Sequence, residues 1–278
     1  MKALLKKNIP LPVLNAARDM RDSAELVMTP RHNFAHDCLR PANDMALDPI
    51  LSDTSVNADW ERDHGAISAL FGNDDKFGGI NPGDRRALYT LIATLKPTRV
   101  LEVGTHIGAS TLYIACALKN SVPGGHVTTV DILNVNDPVN GSWKKVGLPQ
   151  SPQDFAQQIG CRDQITFVAQ PSQDYMAATD ERFDFIFLDG DHTARTVYRE
   201  MAAALKILRP GGVILLHDFY PNARPLFPDG NLITGPFRAL QRIMRENTAI
   251  RAVPLGRLPW PTKQGSHMTS LALVTRAV

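Results

Sequence analysis

Two short segments hold most of the side chains able to do acid–base chemistry. Asp189-Gly190-Asp191-His192 puts two carboxylates and an imidazole within four residues, and His217-Asp218 adds a second imidazole–carboxylate pair. Histidine as a type titrates near neutrality, so His192 is suited to take a proton from a substrate hydroxyl. Asp189 is suited to approach a positive centre or to hold a divalent cation. The other reading of Asp191 and His192 is that they only start the following helix, with acid at its positive end. Asp189 and Asp218 could share one hard cation: oxygen ligands suit Mg²⁺, and His217 would shift the preference towards Mn²⁺ or Fe²⁺. Equally, His217 and Asp218 could hydrogen-bond the substrate or brace His192 with no metal. His32 and His36 lack an evident third ligand and read as surface or core histidines. Arg195, Arg199 and Arg209 read as a solvated helix face.

A second set of residues suits a nucleotide-like ligand. Val100-Leu101-Glu102-Val103 reads as a buried strand entering the turn Gly104-Thr105-His106-Ile107-Gly108, and a helical pattern containing Ser110 follows. Glycines carry no Cβ and let a ligand approach the backbone, and free amides at a helix start point at it. Dinucleotide folds use G-x-G-x-x-G around a pyrophosphate. Here His106 occupies the place of the middle glycine, so that cradle is incomplete. Glu102 lies two residues before Gly104 and suits a ligand with a cationic amine and no phosphate. That describes S-adenosylmethionine better than NAD. Asp131, followed by Ile132, ends the next strand and is placed to accept both ribose hydroxyls; its alternative is a turn acid or helix cap. Ser172 and Gln173 offer hydroxyl and amide groups to an adenine edge, unless Ser172 merely caps a short helix starting at Gln173. His106 falls where it would also line this pocket.

These residues need a scaffold that brings strand ends together. From Arg99 onward, apolar runs of strand length alternate with helical segments, which indicates βαβ units and a parallel sheet. Strands are expected near 99–103, 126–131, 164–169, 183–188 and 212–216, with helices near 109–119, 152–159, 194–208 and 235–247. The runs Ile250–Leu255 and Met268–Thr275 read as a late antiparallel hairpin. In such sheets the ligand lies outside the carboxyl ends of the strands, which is where the residues above fall. Upstream, helices are expected near Leu14–Val27, Asp59–Phe71 and from Asp84 to Leu95, with a glycine loop at 78–83. The proline-rich segment 1–55 otherwise reads as an irregular arm. Residues 1–78 are therefore expected to be an extension, a cap or an oligomerisation arm, ahead of a ligand-binding domain at 79–278. The acceptor pocket is expected between that arm, the loop 134–152 and the loop 220–234.

Composition narrows the function classes. The chain has 278 residues, 44% hydrophobic and 21% charged, as in ordinary globular enzymes. A net charge of +2 is too mild to argue for nucleic acid. The Asn/Asp-Pro-Pro-aromatic motif of amine methylation is missing after the fourth strand. The three cysteines are widely spaced and read as free thiols of a reducing, cytoplasmic setting. Met1 to Pro12 is neither a convincing signal peptide nor a membrane span, so no membrane partner is expected.

The combination Val-Leu-Glu-Val-Gly-Thr-His-Ile-Gly-Ala-Ser at 100–110, Thr-Val-Asp at 129–131, Pro-Ser-Gln-Asp at 171–174, Phe-Leu-Asp-Gly-Asp-His at 187–192 and Leu-Arg-Pro-Gly-Gly-Val-Ile at 208–214 resembles class I S-adenosylmethionine-dependent O-methyltransferases. The resemblance covers about residues 80–220 and touches the catechol-type enzymes. It also touches a bacterial subgroup near the cephalosporin-hydroxylase-like proteins and sugar O-methyltransferases. It implies the Rossmann-like class I sheet, mostly parallel with a C-terminal antiparallel hairpin, and methyl transfer to a small hydroxylated acceptor by a homo-oligomer. It further implies adenine contacts from Ser172 and Gln173, metal ligation by Asp189 and Asp218, and His192 in place of that family's lysine base. The third family ligand falls on Phe219, which cannot ligate, so Mg²⁺ or Mn²⁺ would need His217 or Asp191 instead. Two other expectations compete: a protein of this fold that binds S-adenosylmethionine without transferring its methyl, and a nicotinamide-dependent oxidoreductase.

Overall fold

The computed structural model describes residues 10–71 and 79–277. The stretch up to residue 9 and Gly78 of the glycine loop lie outside the described residues. Eight main helices and seven strands are labelled here. They are α1 (Leu11–Val27), α2 (Asn57–Phe71), α3 (Pro82–Leu95), β1 (Arg99–Val103), α4 (Ala109–Ser121), β2 (His126–Asp131), α5 (Pro152–Gln158), β3 (Ile165–Ala169), α6 (Ser172–Ala178), β4 (Phe183–Leu188), α7 (Ala194–Ile207), β5 (Leu208–Leu216), α8 (Gly235–Glu246), β6 (Ile250–Pro254) and β7 (Ala272–Arg276).

The strands form one sheet in the order β3-β2-β1-β4-β5-β7-β6. Strands β1 to β5 are parallel, and β7 runs antiparallel to both β5 and β6. Side chains alternate between two buried faces, as expected of a sheet covered on both sides. Val100, Phe185, Phe187, Val213 and Leu215 pack towards the layer of α2, α3 and α4. Leu101, Val103, Ile186, Leu188 and Leu216 pack towards α7 and α8 on the opposite face. The order reverses direction at β1 and β4, so the carboxyl ends of these two strands flank a crevice.

The expected elements are present with shifted ends. β5 begins at Leu208 rather than at 212, because Leu208 already pairs with Phe183 across a register irregularity. β7 starts at Ala272; Met268 makes only an isolated bridge to Arg257, and the intervening residues turn back on themselves (Thr262 N–H to Ser266 O, 2.8 Å). α1 begins earlier than expected because its proline lies in the first turn, where a missing N–H costs nothing.

Upstream of the sheet the chain serves both faces. α1 packs on α7 and α8. The segment after it crosses the amino-terminal edge, where Leu39 bridges Gly212 and Pro41 bridges Arg276. α2 and α3 then pack on α4. Among the described residues, no helix is long and apolar enough to cross a membrane.

Candidate active site

A cavity of about 640 Å³ opens at the carboxyl edge, over the ends of β1, β2 and β4. Gly104, Thr105, His106, Ser110, Asp131, Ile132, Ser172, Gln173, Asp189, Asp191 and His192 all line it, so eleven of the residues singled out in the sequence meet there. The turn after β1 is fixed by backbone geometry. Gly104 has φ +101°, and a Cβ on it would stand 2.2 Å from the carbonyl oxygen of Asp189. His106 is also left-handed (φ 51°), and its N–H donates to Asp131 Oδ2 at 2.9 Å. Asp131 thus holds the turn with one oxygen, and its other accepts from Leu133 N–H at 3.0 Å. Gly108 caps α4 without a side-chain bond and lies off the cavity wall, against Pro152.

Glu102 is placed differently from the expectation of direct ligand contact. It shares a strand face with Val100, which turns it under the first turn of α4, and it is wholly buried. One carboxylate oxygen accepts from Thr111 Oγ1 at 2.5 Å and from Thr129 Oγ1 at 2.6 Å. Since Thr129 donates to Glu102, Thr105 donates to Thr129, at 2.6 Å. Burial pushes the Glu102 carboxyl up to about 7, against the pull of the hydroxyls of Ser110, Thr111 and Thr129. Its Oε1 is buried without a hydrogen-bond partner. Glu102 therefore braces the turn from beneath and borders the cavity through Ser110.

Ser172 does not cap a helix. α6 starts at Ser172 itself, with Pro171 as its cap residue. The Ser172 hydroxyl donates instead to Glu200 Oε1 of α7, at 2.6 Å. Gln173 makes no side-chain hydrogen bond among the described residues and lines the cavity.

The residues after β4 and β5 form a charged centre. His192 Nε2 stands 3.4 Å from Asp218 Oδ2. Asp218 has φ 53°, a left-handed conformation unusual outside glycine and typical of functional turns. Gly235, at the start of α8, backs this loop so closely that a Cβ there would lie 2.0 Å from the carbonyl oxygen of His192. His217 is nearly buried: Nδ1 lies 2.7 Å from Asp189 Oδ1 and Nε2 lies 3.3 Å from Asp84 Oδ2. Burial by itself would favour the neutral ring, but Asp189, Asp218 and Asp84 outweigh it and raise its pKa well above the usual value. Both ring nitrogens of His217 thus face carboxylates. The residues that stand together as possible metal ligands are Asp189, His192 and Asp218, with one donor atom of each within 4.8 Å of the others.

A second cavity of about 520 Å³ adjoins the first, and Asp191 and His192 line both. Its outer wall is built by Arg18, Arg21 and Asp22 of α1, by Tyr220 and residues 231–234, and by Lys263. The loop 134–152 does not reach it; that loop instead inserts Trp143 into the core beside α4 and α5. The α1 wall is tied down by Asn15 Nδ2 to Gly230 O (3.0 Å), Thr234 Oγ1 to Asp22 (2.5 Å) and an Arg238–Asp19 ion pair (2.6 Å). His32 and His36 serve packing: His32 leans on the ring of Tyr198 and His36 accepts from Asn247. Arg209 lies in β5 and pairs with Asp184 at 3.0 Å rather than facing solvent on a helix.

Three functional-site residues were not legible in the sequence. Asp84 was read only as the start of a helix, and it lies in the first turn of α3 with its N–H donating to Asn81 Oδ1 at 3.0 Å. Glu200 sits on the buried stripe of α7 among Val197, Met201 and Ala204; an acid interrupting an apolar stripe was the available signal. Gly235 gave no signal short of the fold.

Residues 101–219 match a family model described as a methyltransferase domain. The O-methyltransferase TomG from Streptomyces achromogenes, solved with SAM, superposes with a TM-score of 0.54 at 19% identity, covering 78% of this chain and 90% of that one. Cofactor-bound Rv0187 from MTB gives 0.54 at 21% identity, over 84% of this chain and 96% of that one. The chain has the class I methyltransferase fold. In sequence, the chain is 25% identical over 148 residues to "Probable caffeoyl-CoA O-methyltransferase 1" of Dictyostelium discoideum, covering 51% of this chain. The match spans 56% of that relative's length, so the chain covers only about half of the curated proteins it first resembles. "Catechol O-methyltransferase" of Mycobacterium tuberculosis is 25% identical over 177 residues, 62% of this chain and 73% of the relative.

Proposed function

We propose that this chain transfers the methyl group of S-adenosylmethionine to a hydroxyl of a small molecule, with His192 as the general base. One observation carries this reading: a cavity of about 640 Å³ suited to the nucleoside and a second of about 520 Å³ share His192 as their common wall. The residues present fit S-adenosylmethionine. Asp131 offers carboxylate oxygens to a ribose, Ser172 and Gln173 offer polar groups to adenine, and the uncapped start of α4 offers free amides. When bound, S-adenosylmethionine supplies an activated methyl group next to the acceptor. The second cavity holds the acceptor, His192 removes its hydroxyl proton, and Asp218 holds the ring and stabilises the imidazolium that forms. Much of the acceleration comes from placing the acceptor oxygen in line with the methyl carbon.

A second reading rests on the three donor atoms of Asp189, His192 and Asp218 within 4.8 Å. Two carboxylates and one imidazole suit Mg²⁺ or Mn²⁺, which would lower the pKa of an acceptor hydroxyl. His217 Nδ1 already engages an Asp189 oxygen at 2.7 Å, and a cation on Asp189 would have to share that carboxylate. The ion-free reading is therefore preferred, and activity is expected to survive exhaustive chelation. Activity lost on chelation and restored by Mg²⁺ or Mn²⁺ alone would favour the second reading.

Self-association belongs to the same proposal. On the outer face of α1, Val13, Met20 and Val27 recur every seven residues and are 56%, 68% and 83% exposed, a stripe that a second copy would cover. Sedimentation of a Met20→Glu variant as a monomer, against a dimeric parent, tests it.

The function is tested by incubating the protein with methyl-labelled S-adenosylmethionine and a panel of phenols, sugars and polyketides. Label is expected on a hydroxyl oxygen of at least one acceptor. Tight cofactor binding with no consumption across the panel would favour a binding protein of the same fold.

A further inference from the structure

Glu200 is a buried acid, 3% exposed, on the wall of the cavity assigned to S-adenosylmethionine, and the chemistry proposed above does not use it. Its only side-chain hydrogen bond among the described residues is from Ser172, at 2.6 Å. An ionised carboxylate can only accept, so the hydroxyl proton of Ser172 is committed to Glu200. What Ser172 then presents to the cavity is a pair of oxygen lone pairs and no proton.

We propose that Glu200 is a positioning residue that fixes Ser172 as a hydrogen-bond acceptor, and so makes the cavity select a 6-amino purine over a 6-oxo purine. This deepens the cofactor reading above and rests on it. Adenine carries an exocyclic amine that donates, and hypoxanthine carries a carbonyl that accepts. An amine meeting Ser172 Oγ completes a hydrogen bond. A carbonyl meeting it sets two acceptors against each other, and a polar group left unpaired costs more than one hydrogen bond gains. The acid is held in place for this task. Burial pushes its carboxyl up to about 7 and nearby Asp191 adds to that, while Ser172 pulls it down, so at pH 8 the acceptor form dominates. Glutamine in its place could either donate or accept, and the polarity of Ser172 would no longer be fixed.

The test is calorimetric binding of S-adenosylhomocysteine and S-inosylhomocysteine at pH 8 to the full chain and to its Glu200→Gln and Ser172→Ala variants. The parent is expected to prefer the adenosyl compound by about 30-fold or more, the scale of one unpaired buried group. Glu200→Gln is expected to shrink that preference about 10-fold, chiefly by losing the distinction and not by losing all binding. Ser172→Ala should shrink it similarly, and adding Glu200→Gln to Ser172→Ala should change it no further. A preference that stays within about twofold of the parent in Glu200→Gln would overturn the proposal, as would a parent that binds both compounds equally. If the parent binds neither compound, the cofactor reading fails, which is a separate result from an unchanged preference.

Discussion

His217 Nδ1 lies 2.7 Å from Asp189 Oδ1, and both side chains are largely withdrawn from water. Asp84 closes the other side of the ring at 3.3 Å. The acid at the end of β4, at first sight a free ligand, is thus already engaged by a buried imidazole. Under the proposed function, His217 is engaged by carboxylates on both sides, and the more exposed His192 is the ring that would exchange protons with a substrate.

The buried charges behind the site are interdependent. Asp84 is wholly buried, with one carboxylate oxygen unpartnered and the other shared by His217 and Asn81. Removing its charge leaves His217 under-compensated. Asp84→Asn is expected to lower stability by about 3 kcal/mol, read as a shift of the urea midpoint at constant m. A loss under about 0.5 kcal/mol would mean that the ring is not held as a cation.

Catalysis should separate from cofactor binding at His192. The His192→Ala variant is expected to lose about 10²- to 10⁴-fold in kcat, with the dissociation constant for S-adenosylhomocysteine within a few-fold of the parent. Asp218→Asn, which keeps the shape but removes the charge facing His192, should lose less. Unchanged turnover in His192→Ala would remove this residue from the mechanism.

The glycine turn leaves no room for a side chain. In Gly104→Ala the new methyl would meet the Asp189 carbonyl at 2.2 Å in a backbone conformation alanine avoids. We expect a destabilised protein whose cofactor affinity falls at least about 10-fold, since the turn and the β4 end must move apart. Parent-like melting and affinity would show that the two strand ends are not so closely joined.

Glu200 gives a pH signature. Its carboxyl is raised from an ordinary 4.5 to about 7 in the folded chain. A raised carboxyl contributes stability that is complete below the unfolded value and is lost as pH rises through the folded one. Glu200→Gln escapes that loss. The variant should match the parent at pH 4.5 and exceed it by about 2–3 kcal/mol at pH 8, seen as a higher melting temperature. A difference independent of pH would argue against burial as the cause.

Most of the scaffold was legible because its signals are local. Alternating apolar runs, the Gly104–Gly108 turn and the acids at strand ends each depend on neighbours in sequence, and strands β1, β2 and β4 begin and end where the pattern placed them. What the sequence hid depends on distant partners. The engagement of His217 comes from Asp84, 133 residues away, and that of Ser172 from Glu200 across a helix. The place of Glu102 turns on strand parity: an acid on the α4 side of β1 lies beneath the turn even though its spacing to Gly104 looks right. The wall of the second cavity likewise draws on distant parts of the chain: Lys263 comes from far along it, while Trp143 anchors the 134–152 loop in the core.

The proposed function requires that the carboxyl-edge cavity hold S-adenosylmethionine with its reactive end at His192. A crystal structure with S-adenosylhomocysteine tests it most directly. Adenine is expected against Ser172 and Gln173, ribose hydroxyls on Asp131, and the sulfur beside Asp189, facing the cavity shared with His192. A ligand bound elsewhere, or bound with its sulfur turned away from His192, would contradict it.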